Sequence, residues 1–351
     1  VIATAAQLKE LLPQLEPFER IAIDTEADSL HCFREKLCLL QVSVPNADFI
    51  VDPLADVDLA PLRELFERKE IVLHGSDYDL RLLRRSLNFN ARRIFDTVVA
   101  ARLLGLREFS LAALVKKYFG IELVKGSQKA NWAKRPLPTR MLEYAVNDTH
   151  YLLELAEKLE RELKESGRLM WFQQSCERAI EQASVDRTRD LDEAWRISGA
   201  GALPPRTGAV LRALWQWREK EAEAVDRPAF HILQNHELLR SAESFASGAV
   251  PDYRHFSARR RNAFRQAGEE ALRLPEKDWP VMRRRSGTRP TAEIVRRADE
   301  LKRRRDRAAV ELKLEAAVLA PRTALEAIAS DEKHAGTVLV PWQREVLGLT
   351  A

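Results

Sequence analysis

Asp24-Thr25-Glu26 carries two carboxylates two residues apart, directly after the apolar triplet Ile21-Ala22-Ile23. If that triplet enters a strand, the alternation of side chains puts both acids on one face of the sheet. Two like charges so close repel. A hard divalent cation such as Mg²⁺ or Mn²⁺ reverses the balance, because carboxylate oxygens are the ligands it takes. Tyr144 and Asp148 are four residues apart, one helical turn, and therefore share a helix face. Asp79 follows the apolar run Ile71-Val72-Leu73-His74 and opens a helical pattern, the kind of strand end where α/β folds place sites. Each feature alone has a plain reading: a surface acidic pair, a packed tyrosine beside an unrelated acid, a hydrogen-bonded core histidine at His74. Their order, each on an element able to point it inward, makes them one candidate set.

The elements that must position this set are legible along the first half of the chain. Ile21-Ala22-Ile23 enters a strand, Leu37–Val44 reads as a second and residues 48–51 as a third. Residues 71–74 form a short buried strand, followed by a helix with Leu80, Leu82, Leu83 and Leu87 on its apolar side. Ile94-Phe95 leads into a helix over 97–104. Beyond Pro136 and Pro138, residues 142–163 read as one long amphipathic helix. Strands followed by strand–helix alternation imply an α/β layer architecture. From Leu203 onward helical periodicity dominates, and Gly199, Gly201, Pro204 and Pro205 mark a linker near 185–202. Within the helical half a faint repeat runs at an offset of roughly 87 residues. Leu214, Arg218, Ala222, Ile232, Leu238 and Ala242 align with Leu301, Arg305, Ala309, Leu319, Leu325 and Ala329.

Asp24, Glu26, Asp79, Tyr144 and Asp148 together resemble the active-site set of the DEDD exonuclease superfamily, in its tyrosine-bearing branch. The resemblance is carried by Ile21-Ala-Ile-Asp-Thr-Glu-Ala-Asp28, His74-Gly-Ser-Asp-Tyr-Asp-Leu80 and Tyr144-Ala-Val-Asn-Asp148. Leu37-Cys-Leu-Leu-Gln-Val-Ser43, Ile94-Phe-Asp-Thr97, Trp132-Ala-Lys-Arg-Pro-Leu137 and Thr149-His-Tyr-Leu-Leu153 sharpen it to the ribonuclease D family. The helical half resembles the HRDC domain through Leu214-Trp-Gln-Trp-Arg-Glu-Lys-Glu-Ala222, Asp226-Arg-Pro-Ala-Phe-His-Ile-Leu233 and Asn235-His-Glu-Leu-Leu239. The layout this implies is an exonuclease domain over 1–190, an HRDC-like domain over 203–282 and a second, diverged copy over 290–351. The fold implied is a ribonuclease H-like mixed sheet flanked by helices, followed by all-α HRDC-like domains.

The resemblance also implies the chemistry: 3′→5′ hydrolysis of terminal phosphodiester bonds with two divalent ions, Mg²⁺ or Mn²⁺, releasing nucleoside 5′-monophosphates. Asp24 would bridge the ions, Glu26 and Asp148 would complete the first, and Asp79 would reach the second, partly through water. Asp79 is chosen over Asp77, which reads as a helix-start residue. Tyr144 would orient the attacking water, since a phenol with an ordinary pKa of about 10 is no base near neutrality. Asp28 is expected at the site's edge, and Asp96 in a structural role. His74, Trp132, Lys134 and Arg135 are candidate substrate contacts, stacking on a base or holding a phosphate. The implied partner is RNA with a single-stranded 3′ end, with tRNA precursors as the leading candidate. A DNA 3′→5′ exonuclease and a catalytically inactive RNA-binding relative are the alternatives, and the helical half also fits a protein-interaction module.

Bulk properties agree with this class. At 351 residues, 45% hydrophobic and 31% charged, the chain has room for two or three compact units. Its net charge of +4 and pI near 8.9 lean mildly toward anionic partners. Between Arg254 and Arg307 eighteen Lys/Arg face eight Asp/Glu, a local excess suited to nucleic acid or to a solvated helix face. Cys32, Cys38 and Cys176 have neither metal-ligand nor disulfide spacing. With no apolar run near the roughly 18 residues of a membrane span and no signal-peptide h-region, a cytoplasmic location is expected. Phosphate-loop, dinucleotide and nucleophile-elbow motifs are missing, which leaves ATP and nicotinamide chemistry unsupported.

Overall fold

Leu37–Val44 is buried along its whole length, as a strand covered on both faces must be. In the computed structural model, which describes residues 1–123, 126, 129–185, 190, 192–282 and 290–349, it is β2 of a five-stranded sheet. The others are β1 (Arg20–Ala27), β3 (Ala47–Val51), β4 (Glu70–Leu73) and β5 (Arg93–Asp96). The order is β3-β2-β1-β4-β5, with β1–β2 and β2–β3 antiparallel and β1–β4 and β4–β5 parallel. The sheet is therefore mixed, as expected. Part of the expected linker, 186–189 and 191, and residues 283–289 of the basic stretch lie outside the described residues.

Among the described residues, eight helices flank the sheet before residue 185: α1 (Ala5–Leu15), α2 (Ala60–Arg68), α3 (Asp77–Leu87), α4 (Thr97–Leu103), α5 (Leu111–Phe119), α6 (Thr139–His150), α7 (Leu152–Glu165) and α8 (Leu169–Ser184). The α1 helix is opened by Thr4, whose hydroxyl accepts from the Gln7 N–H, and it buries Leu8, Leu11 and Leu15 at helical spacing. The expected single helix over 142–163 is in fact two, α6 and α7, meeting at Tyr151. The reason is what each half covers. Helix α6 packs on β1, β2 and β3, whereas α7 packs on β1, β4 and α4. Tyr151 itself turns its ring toward Phe119 of α5, with centroids 5.7 Å apart.

The chain forms two compact units. One comprises Val1–Ala27, Leu37–Asp186 and Arg289–Ala351; the other comprises Asp28–Lys36 and Arg187–Thr288. The second unit is helical: α9 (Pro205–Ala224), α10 (Ala229–Ile232), α11 (Asn235–Ala246) and α12 (Ala258–Leu272) enclose Leu214, Trp217, Leu238, Phe245 and Phe264. The last segment of the first unit adds α13 (Ala292–Leu312), α14 (Ala316–Leu319), α15 (Arg322–Ser330), α16 (Ala335–Val338) and α17 (Pro341–Val346). It is fastened to α8 by Trp342, which stacks on Trp171 at 4.6 Å and donates from Nε1 to Ser175 Oγ at 3.1 Å.

The faint repeat has a three-dimensional counterpart. Helices α13, α14 and α15 begin 87 residues after α9, α10 and α11, in the same long, one-turn, medium order. Arg218 donates to Leu233 O at 3.0 Å, and Arg305 to Ala320 O at 3.1 Å, at the same offset. Asp226 and Lys313, also 87 apart, both take the left-handed backbone conformation (φ 44° and 56°) between their long and one-turn helices.

Candidate active site

Residues 20–27 alternate such that Asp24 and Glu26 leave β1 on one face, while Thr25 is buried. Helix α6 lies across that face and brings Asp148 to them. One oxygen from each of Asp24, Glu26 and Asp148 lies within 4.8 Å of the others. Two polar ties hold α6 in place: the Ser43 hydroxyl contacts Thr149 Oγ1 at 2.7 Å, and His150 Nδ1 contacts Asp48 at 2.7 Å. Ser43 also donates to Asp48 at 2.6 Å, which joins β2, β3 and the end of α6 in one network. Asp79 is buried in the first turn of α3, where its carboxylate accepts the Thr25 hydroxyl.

The electrostatics of the four acids follow from this crowding. Burial pushes the Asp24 carboxyl well above the usual carboxylate range, and repulsion from Asp79, Asp148 and Glu26 pushes it further. Glu26 is raised to about 9, first by burial and then by Asp148 and Asp79. Burial and Asp79 raise Asp148 to about 7. Burial lifts Asp79 to about 6, the Thr25 hydrogen bond holding it back. Carboxylate oxygens gathered in this way are the hard donors that a divalent cation of the Mg²⁺ or Mn²⁺ kind takes.

Known proteins resemble this chain in sequence and in fold. Residues 1–164 match the 3'-5' exonuclease family, and residues 207–245 match the HRDC domain. The exosome complex component 10 homolog of Drosophila melanogaster is 32% identical over 255 residues, covering 70% of this chain and 28% of that protein. Ribonuclease D of Sphingobium indicum is 31% identical over 243 residues, covering 68% of this chain and 62% of that one. The chain thus spans less than two thirds of the length of either relative. The solved structure of Escherichia coli RNase D, an exoribonuclease involved in structured RNA processing, superposes with a TM-score of 0.74. It shares 22% identity and covers 99% of this chain and 98% of its own. The chain is a ribonuclease D-like member of the DEDD exonuclease family.

Within this ribonuclease D-like frame, Asp24, Glu26 and Asp148 come together and Asp79 stands beside them, within repulsive reach. Tyr144, one turn before Asp148 on α6, is half-buried against Trp132, with ring centroids 6.2 Å apart. The four residues expected to contact substrate are placed very differently from one another. Trp132 has no exposure and packs with Cys38, Leu39, Ile50 and Ala145, so it is a wall of the site and presents no face to a base. Truncating it to alanine should cost about 3–5 kcal/mol of stability, measured by urea unfolding. Arg135 grips Asp52 with two bonds of 2.6 Å and also donates to Trp132 O and Cys38 O, which commits its guanidinium to structure. Lys134 is exposed.

His74 contacts the Thr97 hydroxyl through Nδ1 at 2.8 Å. Because that hydroxyl donates to Leu73 O, Nδ1 carries the proton and Nε2 is left as an acceptor. Burial also lowers the pKa of His74, which favours the neutral imidazole. Asp96 is structural: it caps α4 at Val98 and Val99 and also receives the N–H groups of Gly75 and Ser76. Asp28 accepts the Lys36 N–H at 2.8 Å and pairs with the Lys36 ammonium at 3.1 Å.

Sequence reasoning passed over two residues of the site. Thr25 sits between the two acids of β1 yet serves Asp79. Gln41, an amide within the fully buried strand β2, donates to Asp24 Oδ2 at 3.4 Å. In both cases the available signal was a polar side chain where burial was already expected.

Proposed function

We propose that this chain is a 3′→5′ exoribonuclease that removes nucleoside 5′-monophosphates from RNA with a single-stranded 3′ end. The observation that carries the reading is the close set of Asp24, Glu26 and Asp148 oxygens with Asp79 alongside. These four acids would hold two divalent ions, Mg²⁺ or Mn²⁺. Bound there, such ions supply an activated water and neutralise charge on the attacking and leaving oxygens. Asp24 faces all three other acids, which supports a role shared between two ions. The ties of Ser43 to Thr149 and of His150 to Asp48 hold the end of α6, and with it Asp148, beside the sheet.

Tyr144 orients the water by its hydroxyl. Tyr144→Phe is therefore expected to lower kcat roughly 10²-fold, the cost of a misplaced reactant, with KM and Mn²⁺ affinity unchanged in steady-state kinetics and calorimetry. A parallel fall in Mn²⁺ affinity would assign Tyr144 to the metal centre instead.

The choice of RNA follows the named relatives, ribonuclease D and the exosome component homolog, and tRNA precursors are the natural substrate this reading favours. Residues 203–282 and 290–351 act as HRDC-like copies that hold the body of the RNA, a reading supported by their shared helix order and paired arginine contacts. Not all of the basic stretch is available for this. Arg259 and Arg260 are drawn to Glu221, Arg304 to Glu300 and Arg305 to Asp306. Arg296, Lys302, Arg303 and Arg307 of α13 are exposed and are the residues proposed to meet phosphates.

The test is degradation of a 5′-labelled single-stranded RNA with Mn²⁺, with Mg²⁺ and with chelator, beside a DNA strand of the same sequence. A metal-dependent ladder of 3′-shortened RNA is expected, with DNA cut more slowly. Equal or faster cutting of DNA would move the substrate class to DNA. Intact RNA in the presence of metal-loaded protein would leave only an RNA-binding role.

A further inference from the structure

Gln41 lies inside β2, where all eight residues are buried, and its side chain has no exposure. Its partner across the antiparallel β1–β2 pair is Asp24. Directly opposed residues of such a pair project from the same face, so the amide of Gln41 and the carboxylate of Asp24 stand side by side under α6. Nε2 donates to Asp24 Oδ2 at 3.4 Å, a long bond. Among the described residues, Oε1 has no hydrogen-bond partner.

A buried amide oxygen left unsatisfied costs about 1–3 kcal/mol. An aliphatic side chain of similar length would avoid that cost, and the neighbours Leu40 and Val42 are of that kind. Packing therefore does not account for an amide at this position. Its location does, because the acid it donates to is the one that faces all three others.

We propose that Gln41 is a positioning residue for the ion pair of the active site. Its Nε2 fixes one oxygen of Asp24, so that the carboxylate cannot rotate away from the ions it shares. Its Oε1 finds a donor when the site is loaded, from the ions' hydration water. Groups that orient a metal's ligands in this way commonly affect affinity as strongly as some ligands do. The inference rests on the two-ion reading above, but it concerns a residue that is itself no ligand.

The experiment uses the full chain and the variant Gln41→Met, which keeps length and loses the amide. Mn²⁺ is titrated calorimetrically without RNA, and melting is followed in chelator. Mn²⁺ affinity should fall 10- to 100-fold, about the range for such orienting groups. In chelator the variant should melt at or above the wild-type temperature, because an unsatisfied buried group has been removed. Wild-type Mn²⁺ affinity in Gln41→Met would overturn the proposal and leave the nuclease reading untouched. A variant that melts lower in chelator, or does not fold, would make Gln41 a packing residue and overturn it equally. Wild-type protein that binds no Mn²⁺ would sink the two-ion reading itself, and this proposal with it.

Discussion

Asp24→Asn should abolish the RNA ladder and, in the same preparation, raise the melting temperature of the chelator-treated protein near neutral pH. The first effect follows from the place of Asp24 among the acids. Under the function proposed above, Asp24 would be shared between two ions, and removing its carboxylate would forfeit several kcal/mol of charge stabilisation. At 1.36 kcal/mol per decade that is a loss of at least ~10³-fold in rate. The second effect has the opposite sign because, without metal, Asp24 is the group its neighbours find hardest to accommodate. Asp79, Asp148 and Glu26 all oppose its ionisation, and burial opposes it most. Near neutral pH the folded state bears the cost of keeping Asp24 protonated, and a neutral amide of the same shape removes that cost. Loss of activity through misfolding would lower both quantities together, so the pair of measurements separates chemistry from structure. A variant that still trims RNA at the wild-type rate would remove Asp24 from the mechanism.

What could be read from the chain alone was whatever depends on local spacing. Asp24 and Glu26 share a strand face because strands have period two, and Tyr144 and Asp148 share a helix face because helices have period 3.6. Those rules survive folding unchanged. The repeat at 87 residues was visible for the same reason: apolar positions at helical spacing recur whenever helices pack alike, and Arg218 and Arg305 recur with them. The points where reading the chain fell short are tertiary. Nothing local marks Tyr151 as the place where the expected single helix must turn to cover a different part of the sheet. Arg135 has the chemistry of a phosphate ligand, yet Asp52, distant in sequence, claims its guanidinium. Trp132 has the chemistry of a stacking platform, yet the sheet and α6 close over it. The division into compact units is tertiary as well, since Trp342 ties residues near the C-terminus to α8. A side chain's type tells what it can do, and its burial and partners decide whether it is available.

Metal removal should leave a protein whose stability falls as pH rises, and divalent metal should reverse that trend. Unfolded, the acids titrate near their ordinary values of 3.8 for Asp and 4.5 for Glu. Folded and metal-free, Asp79, Asp148 and Glu26 bind their protons up to about 6, 7 and 9, and Asp24 also holds its proton far above the usual range. The folded state therefore binds more protons than the unfolded one throughout this window. Stability contributed by the cluster is fullest below about pH 4 and is lost as pH climbs through the folded values. Bound cations favour the ionised form, so metal affinity rises over the same range and binding expels protons. The melting temperature in chelator should thus fall between about pH 5 and about pH 9, while the Mg²⁺- or Mn²⁺-saturated protein falls less and the gap between them widens. Calorimetry near neutrality in two buffers of different ionisation enthalpy should report proton release on metal binding, from Glu26 and Asp24 and in part from Asp148. A gap that narrows with rising pH, or binding without proton release, would mean that these carboxylates are not crowded together in the metal-free protein. The geometry on which the nuclease reading rests would then be that of the loaded state alone.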